Sequence, residues 1–213
     1  MIPHMCKPII YIVEDQPAVC SALGEMLSVL GNKVETFGSA REFLVALDAT
    51  DANDATRPSC LLADVRMPDM DGIELVRELA RRSVSIPAVL ISGYADVRMA
   101  VEAIKAGAED FIEKPCGDDL TLAIERCIAL STGLFSGRQP EDDLERRFRS
   151  LTPSEIKIFD LVAEGRTSEE IAATMGRSPR TVEGLRTQIM SKMQADDITV
   201  LVRQAVRLKR IAP

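Results

Sequence analysis

The sequence predicts an α/β domain, a doubly wound five-stranded parallel sheet, followed by a small all-α domain. Three observations carry this. Short β-rich apolar runs alternate with helical patterns over the first 130 residues. No strand pattern remains after Leu151. Between the two, from Ser131, the stretch STGLFSGRQPEDD breaks the periodicity with glycine, proline and charge, as linkers do. A length of 213 residues suits two modest domains. We therefore expect domain one over 1–130, a linker over 131–150 and domain two over 151–213.

The strands are PIIYIV at 8–13, KVETF at 33–37, SCLLAD at 59–64, PAVLIS at 87–92 and DFIEK at 110–114. Between them, apolar residues recur at helical spacing, as in Val19, Leu23, Met26, Leu27 and Leu30, or Ile73, Val76, Leu79 and Ala80. Leu120 to Leu130 is the helix that closes the domain. In the second domain, Thr152 as N-cap, Pro153 at the first helical position and Glu155 three residues after the cap start a helix that stops at Gly165. Ser168–Met175, Ser178 to about Met193, and Ile198–Lys209 are three further helices, the first of these stopped by Gly176.

Composition removes several classes of function. No run approaches the roughly 18 apolar residues of a membrane span. The start MIPHMCKPIIYIVEDQ runs from apolar straight into acid, without a basic leader, so a cytoplasmic protein with no membrane partner is expected. Five cysteines, Cys6, Cys20, Cys60, Cys116 and Cys127, include no C-x-x-C pair and read as reduced thiols. The one histidine, His4, lies in the first turn, which excludes triads, Cys-His pairs and H-E-x-x-H zinc sites. Neither a P-loop nor a G-x-G-x-x-G fingerprint occurs. Net charge is −9 over 1–130, 0 over 131–150 and +2 over 151–213, an acidic front half and a mildly basic back half.

In a parallel sheet every strand points its carboxyl end to one edge, where ligands bind. Those ends carry Glu14-Asp15, Asp64, Ser92-Gly93 and Lys114-Pro115. Three carboxylates, a hydroxyl and an ammonium without histidine are hard-ligand chemistry that suits Mg²⁺. In outline this is a metal-assisted phosphoryl site. The four motifs, with Asp64-x-x-Met67-Pro68-x-Met70-Asp71-Gly72 in the second, resemble in order and spacing the CheY-like receiver domain of two-component response regulators. That resemblance implies Asp64 as phosphoacceptor, Mg²⁺ held by Asp15, Asp64, the Arg66 backbone carbonyl and Glu14 through water, and Lys114 neutralising phosphoryl oxygens. It also implies a switch in which Ser92 donates to the phosphoryl group and Phe111 turns inward, a cis peptide before Pro115, and a signalling surface around Asp96 to Glu113.

The stretches LTPSEIKIFDLVAEG and TSEEIAATMGRSPRTVEGLRTQIMSKM resemble the LuxR-type helix-turn-helix of the NarL/FixJ class of regulators. DVRMAVEAIKAGAEDFIEKP and SPRTVE are most like its FixJ-type members. At 100° per residue, Val182, Leu185, Ile189 and Met193 share one face of the third helix of this domain and should pack inward. The opposite stripe is Arg180, Gly184, Thr187 and Ser191, with Glu183 beside it, the face an inserted helix shows to the major groove. Arg166, Arg177, Arg180 and Lys192 are candidates for phosphate contacts, Glu183 and Thr187 for base edges, and Thr181, Gly184 and Arg186 complete the expected DNA surface. Leu185 stands where the family usually carries histidine.

Together the resemblances imply a phosphorylation-controlled transcription factor, not an enzyme beyond its own autodephosphorylation. A histidine kinase donates to Asp64, receivers pair as a homodimer, and two helix-turn-helix domains reach double-stranded DNA. The second reading, favoured by Glu183, Gly184, Leu185 and the slight positive charge, is a receiver-controlled module whose output is a partner protein.

Overall fold

A computed structural model describes residues 7–49, 58–94, 96–132 and 141–211. His4, Cys6 and residues 133–140 of the expected linker lie outside the described residues. The chain divides into two compact units, Met1–Tyr94 with Ala106–Gly137, and Ala95–Lys105 with Arg138–Pro213.

Strands β1 (Ile9–Val13), β2 (Lys33–Phe37), β3 (Ser59–Asp64), β4 (Ala88–Ser92) and β5 (Asp110–Glu113) fall within one residue of the expected runs. They form one sheet in the order β2-β1-β3-β4-β5, with every pairing parallel. The intervening helices are α1 (Pro17–Val29), α2 (Ala40–Ala49), α3 (Gly72–Arg81), α4 (Val97–Ala106) and, after β5, α5 (Asp118–Ser131). Central strands β3 and β4 are buried almost throughout and so read as continuous apolar runs, whereas edge strand β2 is only half buried and mixes polar with apolar residues. On one face Leu23 and Leu27 of α1 and Leu120, Ile124 and Cys127 of α5 pack over Ile10, Ile12, Leu62 and Ile91. Tyr11, Phe37 and Phe43 form a trio of rings with centroids 5.3–6.3 Å apart. Leu30 departs from its expected face: it caps α1 and is exposed, because the helix stops before that turn is complete.

In the second unit, α7 (Pro153–Ala163), α8 (Ser168–Met175), α9 (Pro179–Met193) and α10 (Ile198–Arg207) enclose Ile158, Phe159, Ile171, Val182, Ile189, Met193 and Leu201. Within the same unit, Val101 and Ile104 of α4 cluster with Val202. Each of α7 and α8 starts with a complete capping box, Thr152 with Glu155 and Thr167 with Glu170, which satisfies backbone amides left orphaned at a helix start.

Part of the expected linker is helical. Helix α6 (Glu141–Arg149) sends Leu144 into the helical core, and the Phe148 ring meets Phe159 edge-on at 5.3 Å. Charge dominates EDDLERRFR, and only the i, i+4 pair Leu144 and Phe148 marks its buried face. Two apolar residues in nine were too few to show as a helical period beside that many charges. Among the described residues, no helix is long and apolar enough to cross a membrane.

Candidate phosphoryl site and nucleic-acid interface

The chain leaves β1 outward to β2 and returns past β1 to β3, so the carboxyl ends of β1 and β3 flank the point where strand order reverses. Glu14, 1% exposed, and Asp64, 4% exposed, lie at those ends, and Ser92 is fully buried at the end of β4. Lys114 follows β5. Its Nζ lies 2.6 Å from Glu14 Oε2 and 2.6 Å from Asp64 Oδ1. The ends of β1, β3 and β5, distant in sequence, thus meet at one ammonium.

Burial works against the Lys114 ammonium, and the hydrogen bonds it donates to Asp64 and Glu14 outweigh that, leaving its pKa raised. The Arg66 amide donates to Asp64 Oδ2 at 2.6 Å. Both Asp64 oxygens therefore have a donor, which fixes the carboxylate plane. Pro115 follows a cis peptide bond, as the resemblance implied.

Asp15 supplies the test for a metal. Its Oδ1 is buried with no hydrogen-bond partner, an arrangement that costs free energy unless a cation or water meets it. Among the described residues no three acidic, thiol or imidazole side chains form a cage by themselves. Mg²⁺ does not need one, since it takes one or two carboxylates and completes its shell with waters and phosphate oxygens. An orphaned carboxylate oxygen on Asp15, next in sequence to Glu14, fits that ion.

Ser92 Oγ donates to the Tyr94 carbonyl at 3.0 Å and accepts from the Tyr94 amide at 3.2 Å, so its hydroxyl is turned into its own loop. Phe111, 8% exposed, is already directed inward on β5. Sequence reasoning missed two features. The Arg66 guanidinium carbon lies 4.9 Å from the centre of the exposed Tyr94 ring, tying the loop after β3 to the loop after β4. A Cβ on Gly72 would collide with the Asp64 carbonyl oxygen and stand 3.2 Å from Leu90 Cδ2, so the start of α3 abuts β3 only because residue 72 has no side chain. The motif's Asp71-Gly72 held that signal: Asp71 caps α3 through the Glu74 amide, and glycine is the residue that clears Asp64.

In the helical unit, left-handed Gly176 ends α8 and Ser178 caps α9, giving a helix-turn-helix with a three-residue turn. Val182, Ile189 and Met193 are buried, and Leu185 packs half-buried against the same core. On the other side Arg177, Arg180, Thr181, Glu183, Gly184, Thr187 and Ser191 are exposed together. Three expected contacts have internal partners as well. Lys192 Nζ binds both Glu155 oxygens at 2.7 and 2.8 Å, Arg186 donates to Ser168 Oγ at 2.9 Å, and Arg166 lies 3.9 Å from Glu164. The Thr181 hydroxyl pairs with Ser178 Oγ at 2.8 Å, and that of Thr187 donates to the Glu183 carbonyl at 3.1 Å.

Comparison with known proteins matches both domains. The response regulator receiver domain model matches residues 10–125, and that of the bacterial regulatory proteins, luxR family, matches 149–205. The transcriptional regulatory protein FixJ of Rhizobium meliloti is 39% identical over 198 residues, 92% of this chain and 94% of the relative. That of Bradyrhizobium diazoefficiens is 37% identical over 199 residues, 93% of this chain and 94% of the relative. The crystal structure of full-length FixJ from B. japonicum matches with TM-score 0.55 and 36% identity, covering 97% of this chain and 99% of that one. With both family models matched in order and FixJ relatives spanning nearly the whole chain, this protein belongs to the FixJ-like response regulators, phosphorylation-dependent transcription regulators that couple a receiver to a LuxR-type DNA-binding domain.

Proposed function

We propose that Asp64 is the phosphoacceptor, and that its phosphorylation by a sensor histidine kinase drives receiver dimerisation and DNA binding. The observation that carries this reading is Lys114 Nζ, 2.6 Å from both Asp64 and Glu14, with an orphaned buried oxygen on Asp15, the residue after Glu14. A carboxylate oxygen of Asp64 attacks phosphorus in line, an O–P bond forms as the N–P bond to the donor imidazole breaks, and the imidazole takes up the proton it needs to leave neutral. Lys114 moves its hydrogen bond from Asp64 to the phosphoryl oxygens. Asp15, Asp64 and the Arg66 carbonyl, with Glu14 through water, would hold Mg²⁺, which supplies positive charge to the phosphoryl oxygens when bound. The Ser92 hydroxyl exchanges the Tyr94 carbonyl for a phosphoryl oxygen, and Phe111 has the buried position from which to sense that shift. Hydrolysis of the acyl phosphate by water resets the site.

On the DNA side, Arg177, Arg180 and Arg166 reach phosphates while Thr181, Glu183, Gly184 and Thr187 face base edges; Arg186 and Lys192 act through the helices they hold. A phosphoryl group can drive this change only by favouring the dimer over the monomer. Sedimentation of the chain with Mg²⁺, with and without beryllofluoride in place of the phosphoryl group, tests it. A shift from monomer to dimer in wild type and none in Asp64→Asn is expected. An Asp64→Asn chain that still takes up phosphate would overturn the assignment.

A further inference from the structure

Gly184 sits in the middle of the 15-residue helix α9, where glycine weakens a helix. Nothing inside the fold requires it. Beyond the adjacent backbone of its own helix, a Cβ added there would meet no heavy atom within 4 Å, and its φ is not in the left-handed region, unlike Gly176, which needs that conformation. At Gly72, by contrast, a Cβ collides with backbone. The missing side chain at 184 therefore has no internal reason, and the position is fully on the outward face.

Its neighbours give that face a shape. One turn back is Arg180, one turn on are Thr187 and Gln188, and two turns on is Ser191, all exposed. The Thr187 hydroxyl is engaged by the Glu183 carbonyl, which leaves the Thr187 methyl as its outward group. Bare backbone at Gly184 next to that methyl makes a shallow, partly apolar notch, framed by the long side chains of Arg180, Glu183 and Gln188. In the major groove, the one apolar group a base pair presents is the 5-methyl of thymine.

We infer that the Gly184–Thr187 notch receives a thymine 5-methyl group, making Gly184 a specificity-determining residue that commits each half-site to an A·T pair. The inference rests on the DNA-binding reading above and adds which base feature the helix reads.

The test selects duplexes from a randomised pool with the full chain, Mg²⁺ and beryllofluoride, then replaces each selected thymine by deoxyuridine, which removes only the methyl. One position per half-site should lose about threefold to fivefold in affinity, the worth of one buried methyl group. Gly184→Val fills the notch, so it should lose that thymine preference and bind the two duplexes equally. Gly184→Ala should melt no lower than wild type, which separates a changed surface from a failed fold. Wild type that tolerates deoxyuridine at every position, or Gly184→Val that keeps the same preference, overturns the notch while leaving DNA binding intact. A wild-type chain that selects no sequence at all overturns both, and the two failures are told apart by whether a selected site exists.

Discussion

The ammonium of Lys192, near the end of α9, binds both carboxylate oxygens of Glu155, a residue that also caps α7 through the Thr152 amide. One buried carboxylate thus joins the start of α7 to the end of α9 and sets the position of the recognition helix. A lysine that reads as a phosphate contact in a one-dimensional pattern also has an internal partner in three dimensions.

Lys192→Met should therefore destabilise the helical unit by about 1–2 kcal/mol, less than a fully buried hydrogen bond to a charged group because solvent screens the 38% exposed lysine. The hydrogen bond from Lys192, followed by that from the Thr152 amide, holds the Glu155 carboxyl below its usual range. A depressed carboxyl contributes stability that is complete above its unfolded value of about 4.3 and is lost as pH falls through the lower folded value. The gap between wild type and variant in thermal melts should be constant near neutrality and close below about pH 4.3. On DNA, Arg180→Ala should reduce the slope of log affinity against log salt by about one, whereas Lys192→Met should leave the slope unchanged.

Removing the ammonium at the phosphoryl site leaves Glu14 and Asp64 as buried carboxylates without their shared counter-charge. Lys114→Met should lower stability at pH 7 by about 1–3 kcal/mol. Added Mg²⁺ should narrow the deficit in melting temperature, by binding the folded state alone. A deficit indifferent to Mg²⁺ would separate Lys114 from the carboxylates.

Gly72 and Gly184 predict opposite outcomes for one substitution. Gly72→Ala forces α3 away from the Asp64 carbonyl and should cost about 1–3 kcal/mol, as overpacking does. It should also slow phosphoryl uptake, since the strand end that moves carries Asp64, the proposed acceptor. Gly184→Ala should gain roughly 0.5–1 kcal/mol of helix stability. Thermal melts of the two variants beside wild type decide the matter, and a shared direction would remove the distinction between them.

Much of the molecule was legible in order along the chain. Strand runs, helix caps at Thr152 and Ser178, and the outward stripe of α9 are local properties, set by side-chain period and by which residues satisfy free amides. The acidic strand ends were legible because parallel topology sends them all to one edge. Helix α6 was not, because two apolar residues among many charges define a face only once Phe159 is there to meet it. The Arg66–Tyr94 stack was equally invisible, since those residues are 28 positions apart in sequence and become neighbours through the pairing of β3 with β4.

The sequence by itself determined the element order, the sheet's parallel sense and the set of groups available to a phosphoryl site, because each follows from composition and spacing within a single segment. Only the tertiary structure decided which charges pair: Lys114 with Asp64 and Glu14, Lys192 with Glu155, and Asp15 left with an oxygen unpaired. Ion pairing depends on distances of a few ångströms between residues tens of positions apart, and packing of the core sets those distances.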